Sequence, residues 1–530
     1  MWTDNPIANN VPCLGCPLRE TNKINKKKLS GYILVALLVA PSMGMRTVEP
    51  PPPNTNSRSY VHEHWFNVRL NHFMAHNNET FQMRFYYNDE FAVIDAPTIV
   101  VFVGGEWSIS PGWVSGGLAH QFATAVNGAI FYTEHRYYGL TRPTANTTVP
   151  DLRYLNVDQA LADLAQFIQY VKSYEFHKGK YTYSKVVLVG CSYAGSMATW
   201  MRLGYPHLVD AVFSDSGPLH AQENFHEYLE VVTEALLHQG SEECVSSIAD
   251  AVEQVVALLD TEDGADRVST LFNTCAPFNI SSPLDKPTFF WWGITEAFAY
   301  LVQYATPGDI PTACDVLTDP DVSDPVQRLA NWITSQSWAQ PCIESRYSEV
   351  VAAHTNTDYD SPNSVMRLWT YQTCVEYGWY QTTSSEFQPF LSTVPLEYFH
   401  QMCKDFFSVD FDYLLLRRGI RRTNNLFAGL THLPDYSVTV MGGHDPWSPM
   451  GPNAGHATPK ASVYVVPGVS HCRAIRSTKD SETEELERVK WAVLNDLHQY
   501  IKGHPLIPDG SNTITVPAVL LITAAAFAMI

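Results

Sequence analysis

The chain of 530 residues is poor in positive charge. Lysine and arginine total 34 against 54 aspartates and glutamates, a formal net charge of -20. A protein that holds a polyanion needs a basic face, so this balance argues against a nucleic-acid partner. Charged residues of either sign make up only 17% of the chain, while 45% are hydrophobic and 12% aromatic. That composition describes a globular protein with a sizeable core, either one large domain carrying an insertion or two domains. Internal repeats are lacking, and the short linker "EPPPPNTNS" is the one biased tract. Paired metal-ligand motifs are lacking as well. Cys13 and Cys16 form a lone C-x-x-C with no partner pair, a weak metal or redox signal.

Apolar runs at the two ends read as addressing signals. Residues 1–50 hold Lys26, Lys27 and Lys28 followed by about a dozen apolar residues from Leu29, too short for a membrane span and suited to a signal-peptide core or a signal anchor. Residues 510–530 end in "ITVPAVLLITAAAFAMI" behind the small residues Gly510 and Ser511, which suggests a GPI-attachment signal or a plain membrane anchor. Either form of this C-terminal tail predicts membrane attachment on a non-cytosolic face. Sequons at Asn78, Asn146 and Asn279 fit the secretory pathway, whether the destination is lysosomal, extracellular or the cell surface. Six of the ten cysteines fall between Cys244 and Cys403, as expected of disulfides that staple a loop-rich region in an oxidising compartment.

Between the tails, β-branched runs at 98–103, 129–133, 185–189, 211–213, 437–441 and 462–466 read as buried parallel strands. Amphipathic helical spacing in "LNVDQALADLAQFIQYVKSY" and "ETEELERVKWAVLNDLHQYI" alternates with them, predicting a doubly wound α/β domain. Residues from about 220 to 420 break the rhythm and read as a helical insertion.

The segment "VVLVGCSYAGSMATW" runs a buried strand into a serine. Ser192 is either a helix cap or the nucleophile of a strained strand-to-helix elbow, where small neighbours such as Gly190, Ala194 and Gly195 are needed. Ala194 departs from the strict G-x-S-x-G pattern by one methyl group. A serine nucleophile needs a base, and the base needs an orienting acid. In α/β-hydrolase folds these follow in the order Ser, Asp or Glu, His. "YSVTVMGGHDPWSP" places Asp445 after one strand, and "ASVYVVPGVSHCRAI" places His471 after the next, with His444 and His432 as competitors. An oxyanion hole would draw on the backbone amides of Tyr193 and of Gly105 or Glu106 in "VVFVGGEWSI". Residues 60–219 and 421–505 are therefore expected to be two parts of one α/β-hydrolase domain, with 220–420 as its cap. No metal or cofactor is required.

From "LNHFMAHNNETFQMRFYYND" through "GGEW", "EHRYYG", "GCSYAGSMATWMRLGYPHLVDAVFSDSGPL" and "LWTYQTCVEYGWYQT" to "GGHDPW" and "SHC", the chain resembles a family of serine peptidases. That family comprises lysosomal Pro-Xaa carboxypeptidase, dipeptidyl-peptidase II and thymus-specific serine protease. The resemblance spans roughly residues 60 to 505. It implies an α/β-hydrolase domain with a mainly helical cap, exopeptidase action on short peptides next to proline, and a triad of Ser192, Asp445 and His471. It also implies cap disulfides pairing Cys244 with Cys314, Cys275 with Cys342, and Cys374 with Cys403. Cys191 and Cys472 are left over, with free buried thiols favoured over a bridge that clamps the two catalytic loops. Cys191, Ala194 and Ser196 replace two glycines and a methionine of the family elbow. Ser196 puts strict proline preference in doubt, and Trp447 is either an aromatic wall for a proline ring or core packing.

Which peptide end is cut turns on charge. Glu106 and Glu376 favour binding a free ammonium, hence dipeptide release, unless they serve backbone amides or Arg136; Arg473 would favour a carboxylate. The reading leaves room for a homodimer. Its rivals are an esterase or lipase on the same fold and a catalytically silent adhesion protein.

Overall fold

The computed structural model describes residues 60–507 apart from 94 and 337–340. The expected signal segment, the Cys13 and Cys16 pair, the linker and the tail at Gly510 and Ser511 lie outside the described residues. The strands are β1 (Val61–Arg69), β2 (Thr80–Asn88), β3 (Ile99–Val103), β4 (Ala129–Thr133), β5 (Val186–Cys191), β6 (Ala211–Asp215), β7 (Gln222–Asn224), β8 (Gly378–Tyr380), β9 (Ser437–Gly442) and β10 (Ala461–Val466). Eight of them form one sheet in the order β1-β2-β4-β3-β5-β6-β9-β10. From β4 to β10 every neighbouring pair is parallel. β1 pairs antiparallel with β2, and β2 antiparallel with β4. A mixed sheet with one antiparallel edge and helices between parallel strands is the α/β-hydrolase sheet.

All six expected strands are present, each within two residues of its predicted bounds. Strands β3, β4, β5, β6 and β9 are buried along their whole length, which is why they read as continuous apolar runs. The antiparallel pair β1 and β2 went unread because its chemistry is mixed. β1 is a partly exposed edge, "VHEHWFNVR". β2 buries Arg84, a residue that ordinarily argues against a core strand, and Glu134 neutralises it at 2.5 Å.

The helix Val157–Lys172 starts at Asn156, whose side chain accepts from the Gln159 amide, and its apolar positions are buried. Between β6 and β9 the regular elements among the described residues are helices, apart from β7 and β8. Those two short strands pair in parallel and bring the start of this insertion beside its later part. Disulfides join Cys244 to Cys314, Cys275 to Cys342 and Cys374 to Cys403, the three pairs that the resemblance implies. Among the described residues, no helix is long and apolar enough to cross a membrane.

Candidate active site

β5 ends at Cys191, and the helix Tyr193–Gly204 begins immediately after Ser192. Ser192 has φ 57° and ψ -135°, a conformation that L-residues with a side chain adopt only where the surroundings impose it. The imposition is visible in its neighbours. A Cβ on Gly190 would lie 2.2 Å from the Ala194 carbonyl oxygen, and one on Gly195 would lie 2.7 Å from Ser214 Oγ. The backbone contact demands glycine at 190, a side chain at 195 would need the Ser214 hydroxyl to turn away, and the Ala194 methyl is accommodated in full burial. The Ser192 side chain accepts no cap bond from its own helix, while its amide donates to the Asp215 carbonyl at 2.9 Å. The capping reading of this serine has no support in that geometry.

Asp445 follows β9, and His471 follows β10. His471 Nδ1 lies 2.8 Å from Asp445 Oδ1, and both side chains are buried. The same oxygen accepts the Trp447 amide at 3.0 Å. His471 Nε2 is buried without a hydrogen-bond partner among the described residues, which leaves it able to accept a proton. The competing histidines are placed differently. His444 is held by Gln239 at 2.7 Å and His238 at 3.4 Å, and His432 is exposed.

Glu106 follows Gly105 in the turn after β3. Burial pushes its carboxyl up to about 7, against its own backbone amide and the nearby His471, and its Oε2 has no partner among the described residues. Glu376 is raised to about 7 by burial too, but its carboxylate accepts the Val157 amide at the start of a helix, with Arg422 at 3.9 Å. Arg136 serves neither acid, since it clamps both oxygens of Asp163 at 2.6 Å. Arg473 forms an ion pair with Glu482. Ser196 is buried and donates to the Pro218 carbonyl at 2.6 Å.

Trp447 is buried, with its ring centroid 6.5 Å from that of His471. It also walls a cavity of about 530 Å³, mouth included, lined largely by Trp291, Trp292, Trp369, Trp379 and Phe399 and by no charged side chain. Ser196 does not line it. Asn78 and Asn279 are exposed, while Asn146 is partly buried and accepts the Thr148 amide.

One feature went unread and one was ranked the wrong way. Gln303, at the end of the insertion helix Glu296–Gln303, accepts from Trp447 Nε1 at 3.0 Å and from the Tyr228 hydroxyl at 2.6 Å, and its carbonyl accepts the His471 amide at 3.1 Å. No local signal marks such a residue. The second is a correction: Cys191 and Cys472 are not free thiols but are joined in a fourth disulfide. Its signal was present in the paired strings "GCS" and "SHC", and only the proximity of the two loops reveals the bond. Because both sulfurs are consumed, their closeness to a His471 nitrogen, all within 4.8 Å, does not amount to a thiolate metal site.

Sheet order and elbow together define an α/β-hydrolase. The chain belongs to the Serine carboxypeptidase S28 family, whose model matches residues 68–493, and is thus a serine peptidase. Among similar proteins, the thymus-specific serine protease of Mus musculus is 28% identical over 455 residues, covering 83% of this chain and 87% of that one. The lysosomal Pro-X carboxypeptidase of Mus musculus is 26% identical over 349 residues, covering 62% and 68%. The solved proline iminopeptidase of Mycobacterium smegmatis aligns over 83% of this chain and 99% of its own, at 12% identity and a TM-score of 0.33.

Proposed function

We propose that the protein is a serine exopeptidase that cleaves short peptides, next to proline or a comparable apolar residue, through an acyl-enzyme. The observation that carries this reading is the buried 2.8 Å contact between His471 and Asp445 in a fold whose elbow presents Ser192. His471 Nε2 takes the Ser192 proton as Oγ attacks the scissile carbonyl. Asp445 holds the imidazole tautomer and stabilises the imidazolium, and the amides of Tyr193 and of Gly105 or Glu106 receive the oxyanion. The proton then passes to the leaving amine, and water repeats the sequence on the ester.

The aromatic cavity beside Trp447 supports an apolar, ring-like group at the acyl side of the bond. Exopeptidase action is supported by the helical insertion, whose Gln303 reaches the His471 loop and the Trp447 indole, since a cap beside the site would favour chain ends over folded proteins. Release of dipeptides from a free amino terminus is favoured over carboxypeptidase action. Glu106 keeps an unpartnered buried oxygen, whereas the cation nearest in sequence to the base, Arg473, is already paired with Glu482. Four disulfides and a relative named as lysosomal support a secretory-pathway location.

Labelling by an active-site phosphonate, mapped by mass spectrometry, tests the chemistry. The expected result is modification of Ser192 that vanishes in Ser192→Ala; a label on another residue overturns the triad. A matched pair of peptides, one blocked at the amino end and one at the carboxyl end, tests direction. Efficient removal of the terminal residue from the amino-blocked peptide makes the enzyme a carboxypeptidase.

A further inference from the structure

Cys191 immediately precedes Ser192, and Cys472 immediately follows His471. Their Cα atoms lie 5.7 Å apart although 281 positions separate them in the chain. Consecutive Cα atoms are about 3.8 Å apart, so the covalent path from the Ser192 Cα to the His471 Cα through this disulfide is about eleven bonds. The two sulfurs and a His471 ring nitrogen all lie within 4.8 Å of one another.

The same two loops also hang from residues 215–216 at the end of β6. The Asp215 carbonyl accepts the Ser192 amide at 2.9 Å, Ser216 Oγ accepts the Cys472 amide at 2.9 Å, and Asp215 Oδ2 accepts the Ile475 amide at 2.8 Å. Three residues of this assembly hold positive φ: Ser192 at 57°, Ser216 at 58° and Cys472 at 58°. Strained conformations persist only where the surroundings over-determine them. The hydrogen bonds tie each loop to a shared third element, whereas the disulfide ties one loop directly to the other.

We infer that the Cys191–Cys472 disulfide is a positioning element for the reaction: it sets the reach between Ser192 and His471, and opening it by a dithiol switches turnover off. The inference rests on the proposed roles of Ser192 and His471. In the opening step a dithiol thiolate attacks one sulfur and forms a mixed disulfide, and the other sulfur leaves as a thiolate that takes up a proton. The second dithiol sulfur then displaces the remaining cysteine. The protein gains two thiols and two electrons, and the dithiol departs as its own disulfide. Both cysteines are buried, with Cys472 the more accessible at 8% exposure, which makes it the expected point of entry.

The test uses the full chain with dithiothreitol as the probe. Timed aliquots are assayed for peptide turnover before alkylation, and each cysteine pair is then mapped. Turnover is expected to fall in step with exposure of the Cys191 and Cys472 thiols and to return on reoxidation. Turnover that persists once both thiols are free, or that falls only as the other three pairs open, overturns the inference. The doubly substituted C191A/C472A protein should show kcat lowered about 100-fold with KM within about threefold, the scale expected for a displacement of about 1 Å at a reacting centre. A kcat within threefold of the parent in the folded variant overturns it; should the variant not fold, the timed reduction of the parent decides. Phosphonate mapping separates the two failures. A parent label away from Ser192 defeats the proposed mechanism itself, whereas an unchanged labelling rate at Ser192 in the double variant defeats only the role of the disulfide.

Discussion

The backbone amide of His471 donates to the carbonyl of Gln303 at 3.1 Å, so the loop that carries the imidazole is fastened to the helical insertion as well as to the sheet. The Gln303 side chain extends the link, accepting from Trp447 and Tyr228. Gln303→Leu strands two buried donors. It should lower stability by about 1–3 kcal/mol, read as a shift in urea midpoint, and raise KM. Tyr228→Phe removes a donor without stranding Trp447 and should cost about 1 kcal/mol or less. Equal losses in the two variants would show that the shared oxygen is not what matters.

Asp445→Asn keeps the shape of the side chain but offers the imidazole the wrong hydrogen-bonding face. A fall of about 10⁴-fold in kcat is expected, as known for the serine-protease triad, with the thermal midpoint little changed. Activity above a tenth of the parent would mean that another group orients His471.

Ser192 is strained at φ 57°, and that strain has a signature separate from catalysis. Ser192→Ala and Ser192→Gly should both be inactive. Only the glycine relieves the backbone, and it should make the protein more stable than the alanine variant by about 1 kcal/mol in denaturant melts. Equal stabilities would indicate a relaxed turn.

Glu106 gives a pH prediction. Burial raises its folded pKa from the ordinary 4.5 to about 7, so the folded state holds this proton more tightly than the unfolded state. The associated stability is present below pH 4.5 and is lost as the pH climbs through 7. Asp215 and Glu376, raised by burial to about 6 and about 7, act in the same direction. His135, buried and depressed to about 4, acts in the opposite one, its contribution being present above pH 6.5 and lost on acidification. Glu106→Gln isolates one group: the variant should match the parent near pH 4 and exceed it by about 3 kcal/mol near pH 8. A constant difference across that range would show that Glu106 does not titrate as described.

What could be read along the chain was whatever one segment specifies alone. Apolar runs such as "IVVFV" and "VVLVGC" are strands because both faces of the sheet are covered, and the elbow shows itself because the backbones approach too closely for anything but glycine at 190. Asp445 and His471 were singled out by chain order, each just past a strand, and the fold sets them 2.8 Å apart. The strand β2 was hidden because its buried Arg84 looks polar until Glu134, 50 positions away, neutralises it. The destinations of Glu376, Ser196, Gln303, Cys191 and Cys472 were likewise not legible. A carboxylate, hydroxyl, amide or thiol has several suitable partners in any sequence, and local propensity does not rank them. Only packing does, by bringing Val157 to Glu376, Pro218 to Ser196, Trp447 to Gln303, and two loops 281 positions apart to within a disulfide of each other.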